Sequence, residues 1–383
     1  MKMARAWPLL LLVLALGCRS GMGTVQAGRT TPEELLAGAP LGVTQPPTPA
    51  IPTPSEVLAL TPDMLAFLNA NVDRGGSDYL KVRQLARALI AADALGVKYD
   101  EHTRTAAETF RARRGNCLSF SALFVAMARE VGLKVEFQEV EVPPEWTFDK
   151  DTFVLNRHID VRVSLDPVGT LVVDFNTADF RTSYDMRVIS DTRALAQYYN
   201  NIGVEHMQDG DTAAALASFR EAISRLDHTL SPAWTNLGTL YLRNGHLPYA
   251  EAAYKQALRI SPDNLVAMSN LARVYEREGD EKLAARYRRR VARHRRHNPY
   301  YRYQLARQAF AAGDYDTAIG HLKYAVRKKR NDDRFYSLLG KCYQEEGDER
   351  AAERWLARAK EVAASQTQQR ALPLDSKAPP TQR

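Results

Sequence analysis

Three residues in the first half of the chain could together form a nucleophilic site: Cys117, His158 and Asp174. They follow one another at intervals of 41 and 16 residues, in the order thiol, imidazole and carboxylate. A neighbouring imidazole lowers the pKa of a thiol and can pass the proton to a leaving group, while a carboxylate holds the imidazole in the useful tautomer. The order of these residues therefore predicts a nucleophilic thiol that is activated by an oriented imidazole.

The residues after Cys117 predict a buried helix. Apolar side chains recur at spacings of three and four over residues 118–128, and a glycine closes the run. Cys117 therefore falls in the first turn, where the partial positive charge of a helix N-terminus also favours thiolate. Three earlier helices are predicted, beginning at Thr61 or Pro62, beginning at Ser77 or Asp78, and covering residues 103–113.

The pattern then changes to alternating strands, of which the second covers residues 157–165. His158 and Asp160 share one face of this strand. A turn at residues 166–169 leads into the next strand, which carries Asp174. Antiparallel pairing across that turn would place the carboxylate beside the imidazole. Asp174 is the favoured partner of His158, and Asp160 remains the alternative.

Several further residues could shape this site. The backbone N–H of Cys117 is the default donor to an oxyanion, and Gln138 or Trp146 could supply a second donor. Gln138 and Trp146 are each more often structural. Asn116 and Ser119 could cap the helix and shape its mouth.

The segments around Cys117, His158 and Asp174 resemble the three core motifs of the transglutaminase-like superfamily, and they read RRGNCLSFSALFVAMAREVGL, NRHIDVRV and LVVDFN. The resemblance spans roughly residues 60–190 and is greatest for a bacterial branch that precedes tetratricopeptide repeats. It implies an α+β, papain-like domain over residues 56–190. By the same resemblance, Cys117 is the nucleophile, His158 the base and acid, and Asp174 the residue that orients the imidazole.

The resemblance implies a cysteine protease, amidase or acyltransferase that forms a thioester on a protein or peptide carboxamide. No cofactor and no metal are expected. The triad does not distinguish hydrolysis from transfer, because both share the acyl-enzyme. A non-catalytic scaffold of the cell envelope is the alternative, and in a scaffold the sulfur need not lie within about 4 Å of the imidazole.

The second half of the chain repeats with intervals of 34 or 35 residues. Each unit has a small residue seven positions before a turn glycine and an alanine five positions after it, and these glycines are Gly210, Gly245, Gly279, Gly313 and Gly347. The pattern resembles the tetratricopeptide repeat, which implies an all-α solenoid of five hairpins over residues 191–366. Such solenoids usually bind proteins or peptides. Arg288 replaces the large apolar residue of the third unit, so its second helix is expected to be degenerate.

The first 17 residues resemble a lipoprotein signal peptide. Lys2 and Arg5 precede an apolar run, and Cys18 follows Gly17. The resemblance implies cleavage before Cys18, lipidation of that cysteine, and a place at the bacterial outer membrane facing the periplasm. An ordinary signal peptide is the alternative.

Two segments are expected to lack a fold of their own. Residues 18–55 are rich in Pro and Thr, which predicts an extended tether, and residues 367–383 are expected to form a disordered tail. A disulfide between Cys117 and Cys342 would have to join two domains, so two independent thiols are favoured.

The net charge of +7, from 52 basic and 45 acidic residues, is too mild to predict nucleic-acid binding. Residues 286–307 are densely cationic. We interpret them as a solvated helix face, with an anionic lipid, a polysaccharide or an acidic partner as the alternative ligand. Nucleic acid is not expected as a partner of an exported protein, and the oligomeric state is left open.

Overall fold

The fold is known from a computed structural model, which describes residues 30–43, 51–141, 145–146, 153–154, 157–165, 169–174 and 184–367. A mixed α/β region comes first and a run of paired helices follows, as the sequence predicts. The expected signal peptide, Cys18 and residues 368–383 lie outside the described part. Within that part, no helix combines the length and the hydropathy needed to span a membrane.

The helices of the α/β region begin where polar caps allow. Thr61 and Ser77 accept hydrogen bonds from the amides three residues on, so both helices begin at the predicted positions. The third helix begins at Ala106 and not at residue 103, because Thr105 and Glu108 form a capping box. The helices are α1 Pro32–Ala37, α2 Pro54–Val57, α3 Pro62–Asn71, α4 Asp78–Ile90, α5 Ala106–Ala112 and α6 Cys117–Glu130.

An antiparallel sheet of four strands supports the region, in the order β7-β6-β3-β8. The buried helix α6 packs against one face, where Phe120 and Phe124 meet Ile159 and Val161 in one core. The turn at 166–168 is outside the described residues. The strands are β1 Lys98–Tyr99, β2 Arg114–Gly115, β3 Lys134–Glu141, β4 Glu145–Trp146, β5 Phe153–Val154, β6 Arg157–Leu165, β7 Gly169–Val173 and β8 Asp185–Ile189.

Ten helices form the repeats in pairs. Gly203 lies against the ring of Phe219, and Gly238 against that of Tyr254; a Cβ atom at either glycine would stand 2.7 Å from the ring. Small residues therefore set the close approach of paired helices, as the repeat pattern predicts. The helices are α7 Asp191–Gln208, α8 Thr212–Arg220, α9 Ser231–Arg243, α10 Leu247–Ile260, α11 Leu265–Arg277, α12 Glu281–His297, α13 Pro299–Ala311, α14 Tyr315–Lys328, α15 Asp333–Glu345 and α16 Glu349–Thr367.

Two repeats depart from the expected pattern. The helix α12 is regular over 17 residues in spite of Arg288, whose guanidinium forms ion pairs with Glu276 and Glu281 at the surface. Only Ala284 and Val291 of α12 are buried, which agrees with a solvated cationic face. In the first repeat, residues 221–226 continue α8 as a π-helix, a feature that the sequence pattern did not predict.

The solenoid is hydrogen-bonded to the α/β region at two places. At its start, Arg129 holds Asp191 through two hydrogen bonds of 2.6 and 2.8 Å, and the amide of Thr103 donates to Glu205 of α7 at 2.8 Å. At the fourth and fifth repeats, Lys329 contacts Asp185 of β8 at 2.9 Å. The α/β region is therefore hydrogen-bonded to the first repeat and to the junction between the fourth and fifth repeats.

The segment at residues 30–43 corrects the prediction of an extended tether. Thr31 and Glu34 form a capping box that starts α1, and Leu35 is only 1% exposed within the solenoid core. The carbonyl of Leu35 accepts a hydrogen bond of 2.5 Å from Tyr241, and Arg220 donates to the carbonyl of Leu36 at 2.8 Å. The Pro- and Thr-rich composition concealed this short amphipathic stretch, which gains its stability from docking and not from its own core.

Replacing Leu35 by alanine should lower the free energy of unfolding by about 2–4 kcal/mol, because it empties a buried leucine site between α1 and the repeats. Urea denaturation followed by circular dichroism measures the change. Glu33→Ala, at an exposed position of the same helix, is the matched control. Equal stability of the two variants would show that the segment contributes nothing to the fold.

Candidate active site

A tight connection places Cys117 at the first position of α6. Arg113 ends the preceding helix with φ 53, and Gly115 packs so closely on Ser119 that an added Cβ would lie 2.7 Å from the serine Cβ. Asn116 caps α6 by accepting the Ser119 amide at 2.9 Å, and its own amide donates to Thr103 at 2.8 Å. The predicted site-shaping role of Asn116 is thus a cap that fixes the thiol between two segments.

The sheet places the other two predicted residues. Val161 and Val173 are paired across β6 and β7, and Asp174 follows directly after the paired residues. Its Oδ1 lies 2.7 Å from Nε2 of His158, and the Asp174 side chain is almost fully buried. Asp174, and not Asp160, is therefore the carboxylate that contacts the imidazole.

The thiol of Cys117 and the ring of His158 form a hydrogen-bonded pair. Since Asp174 holds Nε2, the second ring nitrogen, Nδ1, is left for the sulfur. Burial raises the pKa of the Cys117 thiol, but the hydrogen bond and charge of His158, with a hydrogen bond from the Ile159 backbone, outweigh it and lower the pKa below its usual value. The pair therefore favours thiolate and imidazolium.

His158 responds in the opposite sense. Burial lowers the pKa of the imidazole, but the hydrogen bonds and charges of Asp174 and Cys117 outweigh burial and raise that pKa to about 11. Stability from this group is fully present below the unfolded pKa of about 6.5 and is lost progressively as pH rises from there through the folded value. The imidazolium is therefore the resting form at neutral pH.

Asp160 lies beside the triad on the same strand and is fully buried. Its Oδ2 accepts from Gln138 at 3.5 Å, while its Oδ1 has no hydrogen-bond partner among the described residues. Burial, and then the negative charge of Asp174, raise the pKa of Asp160 to about 8. Two adjacent carboxyls thus differ in environment: Asp174 contacts the imidazole of His158, whereas Asp160 accepts only from Gln138.

The predicted donors to an oxyanion differ in where the structure places them. Gln138 donates to Asp160 and to the sulfur of Met186 at 3.3 Å, so its amide is engaged away from the thiol. The side chain of Trp146 lies outside the described part. Helix geometry leaves the N–H groups of Cys117 and Leu118 without intrahelical acceptors, and these two amides stand at the mouth of the site.

The thiol opens into a cleft of about 550 Å³ between the two domains. One side is formed near Cys117 and Ile159, and the other by residues of α7, of α9 and of the start of α11. The sequence argument missed this second side. The available signal was an asparagine nine residues before each of the first three turn glycines.

Both thiols of the described chain are free. Cys342 is buried in the core of the last repeats, and burial raises its pKa to about 11. Among the described residues, no cluster of three or more His, Cys, Asp or Glu side chains could hold a metal ion.

Comparison with known families finds two kinds of match. Residues 67–174 match the transglutaminase-like superfamily, a range that contains Cys117, His158 and Asp174. Four tetratricopeptide-repeat matches follow, at residues 196–225, 231–264, 267–299 and 309–372. This combination supports a protein that binds other proteins through its repeats.

Curated relatives match over short lengths. Anaphase-promoting complex subunit 3 of Schizosaccharomyces pombe is 27% identical over 147 residues, which are 38% of this chain and 22% of that protein. The chloroplastic protein PYG7 of Arabidopsis thaliana is 35% identical over 77 residues, 20% of this chain and 25% of that protein. The chain thus spans about a quarter or less of these relatives. Among solved structures, a crystal structure of MamA shares 18% sequence identity with this chain and has a TM-score of 0.25. The alignment covers 45% of this chain and 94% of the MamA chain.

The reactivity of Cys117 with iodoacetamide should rise with pH through a midpoint below the usual thiol value of about 8.5, because His158 stabilises the thiolate. His158→Ala should move the midpoint upward and cut the rate at pH 6 by about tenfold or more. Peptide-level mass spectrometry follows Cys117 and, as an internal control, the slow buried Cys342. An unchanged midpoint in the variant would contradict the pair.

Asp160→Asn should remove a pH dependence of stability. A carboxyl that is protonated in the folded chain up to about pH 8, and ionised in the unfolded chain above about pH 4, makes stability fall as pH rises between those values. Urea midpoints measured at pH 5, 6.5 and 8 should therefore decline less steeply in Asp160→Asn than in the wild type. Parallel curves would mean that Asp160 ionises normally in the folded protein.

Proposed function

Residues 67–174 form a transglutaminase-like domain with tetratricopeptide repeats after it, and from this we propose that the protein is a cysteine acyltransferase or amidase acting on protein or peptide carboxamides. The observation that carries the proposal is the chain of contacts from the Cys117 thiol through His158 to the Asp174 carboxylate. A thiol at a helix N-terminus, paired with an oriented imidazole, is the arrangement that thioester chemistry requires.

In the first step, the thiol proton already lies on the ring of His158, because the pair favours thiolate and imidazolium before substrate binds. The thiolate attacks the carbonyl carbon of the substrate amide and forms a carbon–sulfur bond. The negative charge that develops on the carbonyl oxygen is placed near the free amides of Cys117 and Leu118. Asp174 keeps the ring oriented and stabilises its positive charge.

In the second step, the imidazolium returns its proton to the leaving nitrogen. The carbon–nitrogen bond breaks, ammonia or an amine departs, and a thioester remains on Cys117. His158, now neutral, takes a proton from water or from an incoming amine, which attacks the thioester carbonyl. Water gives a carboxylic acid and an amine gives a new amide, and either route restores the thiol.

The repeats supply protein or peptide binding to this chemistry, consistent with their close contact to the α/β region. We further propose that Cys18 carries a lipid and that the protein faces the periplasm from the outer membrane. The signal-like residues 1–17 motivate this placement. Metabolic labelling with an alkyne fatty acid tests it, with loss of label expected in Cys18→Ser.

A non-catalytic envelope scaffold is the second candidate, supported by the repeats and by the extensive docking between domains. A scaffold does not require a thiol paired with an imidazole. The contact between Cys117 and His158 therefore favours the enzyme.

Incubation with a mixture of glutamine-containing peptides, followed by acid quenching, should trap an acyl adduct on Cys117. Cys117→Ala should give none, and His158→Ala should slow adduct formation by about 100-fold or more, since it removes the general base. His102→Ala is the matched control, because this histidine belongs to the same domain but its side chain is 68% exposed and contacts Asp100. Intact-protein mass spectrometry measures the adduct.

Equal adduct rates in the two histidine variants would contradict the catalytic role of His158. Failure of the wild type to form any adduct with peptides, together with ordinary thiol reactivity toward iodoacetamide, would favour the scaffold.

A further inference from the structure

The second helix of the third repeat, α12, carries a line of basic side chains on its exposed side. Its 17 residues include eight Lys and Arg and two His against a single Glu. Six of the basic residues recur at spacings of three and four and so share one face of the helix; they are Lys282, Arg286, Arg289, Arg290, Arg293 and His297. We call this set the basic stripe. All six side chains are exposed, and they lie opposite the buried Ala284 and Val291.

The charge of the basic stripe is not neutralised by its surroundings. Among the described residues, no carboxylate forms a salt bridge with any of the six side chains, and Arg288, outside the stripe, takes the carboxylates of Glu276 and Glu281. Asp263 lines a shallow pocket with Arg290 and Arg293, but it accepts a hydrogen bond from Ser261 at 2.7 Å. The stripe therefore presents a row of uncompensated positive charge to its surroundings.

Ordinary stabilisation of a helix does not account for the basic stripe. The macrodipole favours cations in the last turn, which explains His297, but Arg286, Arg289 and Arg290 lie in the middle of α12. The repeat pattern does not require the stripe either, because the second repeat carries mixed residues at the same six positions; they are Pro248, Ala252, Lys255, Gln256, Arg259 and Asp263. The charge is thus a property of the third repeat alone among these two neighbours.

The composition and length of the basic stripe narrow the class of ligand. None of its six positions carries an aromatic or aliphatic side chain. A stable interface with another protein depends on buried anchors of that kind. From Lys282 to His297 the stripe is about 22 Å long, which exceeds a single phosphate and matches a surface that bears many fixed anionic groups. The headgroups of an anionic lipid bilayer form such a surface.

The N-terminal segment docks on the same layer of the solenoid. Helix α1 packs on α8 and α10, the second helices of the first two repeats, where Arg220 donates to the carbonyl of Leu36 at 2.8 Å. Val291 of α12 shares a small apolar cluster with Leu258 of α10, so α12 continues this layer into the third repeat. The segment that leads to Cys18 and the basic stripe therefore belong to one side of the solenoid.

The connection from Cys18 to this layer is short. Thirteen residues lead from Cys18 to Thr31, the N-cap of α1, and they span at most about 45 Å when fully extended. A lipid on Cys18, as proposed above, would hold this side of the solenoid within that distance of a bilayer. The length argument rests on that proposed lipid, whereas the charge of the stripe does not.

We infer that the basic stripe is a membrane-docking surface, which contacts the phosphate groups of an anionic lipid bilayer and orients the solenoid on it. The described lining of the cleft at Cys117 comes from the α/β region and from the first helices of the repeats, and α12 contributes nothing to it. Docking through α12 therefore leaves the cleft accessible. The inference uses no chemistry of Cys117, so its failure would leave the proposed acyl transfer untouched.

Arginine modification by phenylglyoxal tests this on the full chain, mixed with vesicles of phosphatidylcholine alone or of equal parts phosphatidylcholine and phosphatidylglycerol. Peptide mass spectrometry gives the rate at each arginine. Arg286, Arg289 and Arg293 should react about fivefold or more slowly with the anionic vesicles, and molar salt should restore their rates. Arg111 and Arg350, exposed in other parts of the chain, are internal controls whose rates should not differ between the two vesicles.

A triple variant measures what the charges contribute. Arg286→Gln, Arg289→Gln and Arg293→Gln together should lower the partition coefficient into anionic vesicles, relative to neutral vesicles, by about 100-fold, since each arginine contributes a factor of about five. The matched control removes the same charge from exposed positions of the fifth repeat, through Lys341→Gln, Arg350→Gln and Lys360→Gln, and should stay within about threefold of the parent. All chains carry Cys18→Ser, so that no lipid contributes, and circular dichroism confirms that each is folded.

Equal modification of the stripe arginines with both kinds of vesicle would overturn the inference, as would equal partition ratios for the two triple variants. Polyglutamate serves as a further ligand in the modification experiment. If polyglutamate protects the stripe and anionic vesicles do not, the stripe binds an acidic polypeptide, and membrane docking is equally overturned.

Discussion

The packing of α6 against β6 is the constraint on which the site depends. The hydroxyl of Ser121 donates to the carbonyl of Ile159 at 3.2 Å, one turn into the helix, and so fixes the helix against the strand next to His158. The apolar side chains of α6 are buried almost throughout its length, so the helix cannot rotate or slide without exposing the core. The position of the thiol is thus decided by packing over the whole helix. The contact between sulfur and imidazole is a consequence of a hydrophobic fit and would be lost with it.

Electrostatic interactions then set the pKa values of ionisable side chains that lie close together at this site. His158 stands between a thiol and a carboxylate, and its positive charge is stabilised by both. A second carboxylate in the same place would compete for that charge, and burial instead raises the pKa of Asp160 to about 8. The pKa shifts of Cys117 and His158 therefore favour a thiolate beside an imidazolium, and the Asp174 carboxyl group contacts the other side of the ring. Burying a neutral carboxyl group beside the triad costs less free energy than burying a second, unpaired negative charge would.

Much of this could be predicted from the sequence, for physical reasons that differ by region. Alternation in β6 and three-to-four spacing in α6 report burial directly, so the elements that carry Cys117 and His158 were predictable. The choice of Asp174 over Asp160 followed from strand pairing across a short turn. The docking of residues 30–43 was not predictable from composition, because Leu35 is fixed by contacts with distant repeats, such as that with Tyr241, 206 residues further along the chain. The contacts between the α/β region and the repeats likewise leave no signal in the local sequence pattern of either region.

The second wall of the cleft shows why the two domains are best considered together. A solenoid whose concave face were open to solvent could recruit a partner at any distance from the thiol. Here Thr103 is hydrogen-bonded to Glu205 and Asp185 to Lys329, and residues of the first repeats line the same cleft as Cys117. If the proposed function holds, binding to the repeats would orient a substrate carbonyl at Cys117, and orientation of this kind lowers the barrier to attack. The transglutaminase-like domain and the repeats therefore line one cleft, and a molecule bound by the repeats within that cleft lies beside Cys117.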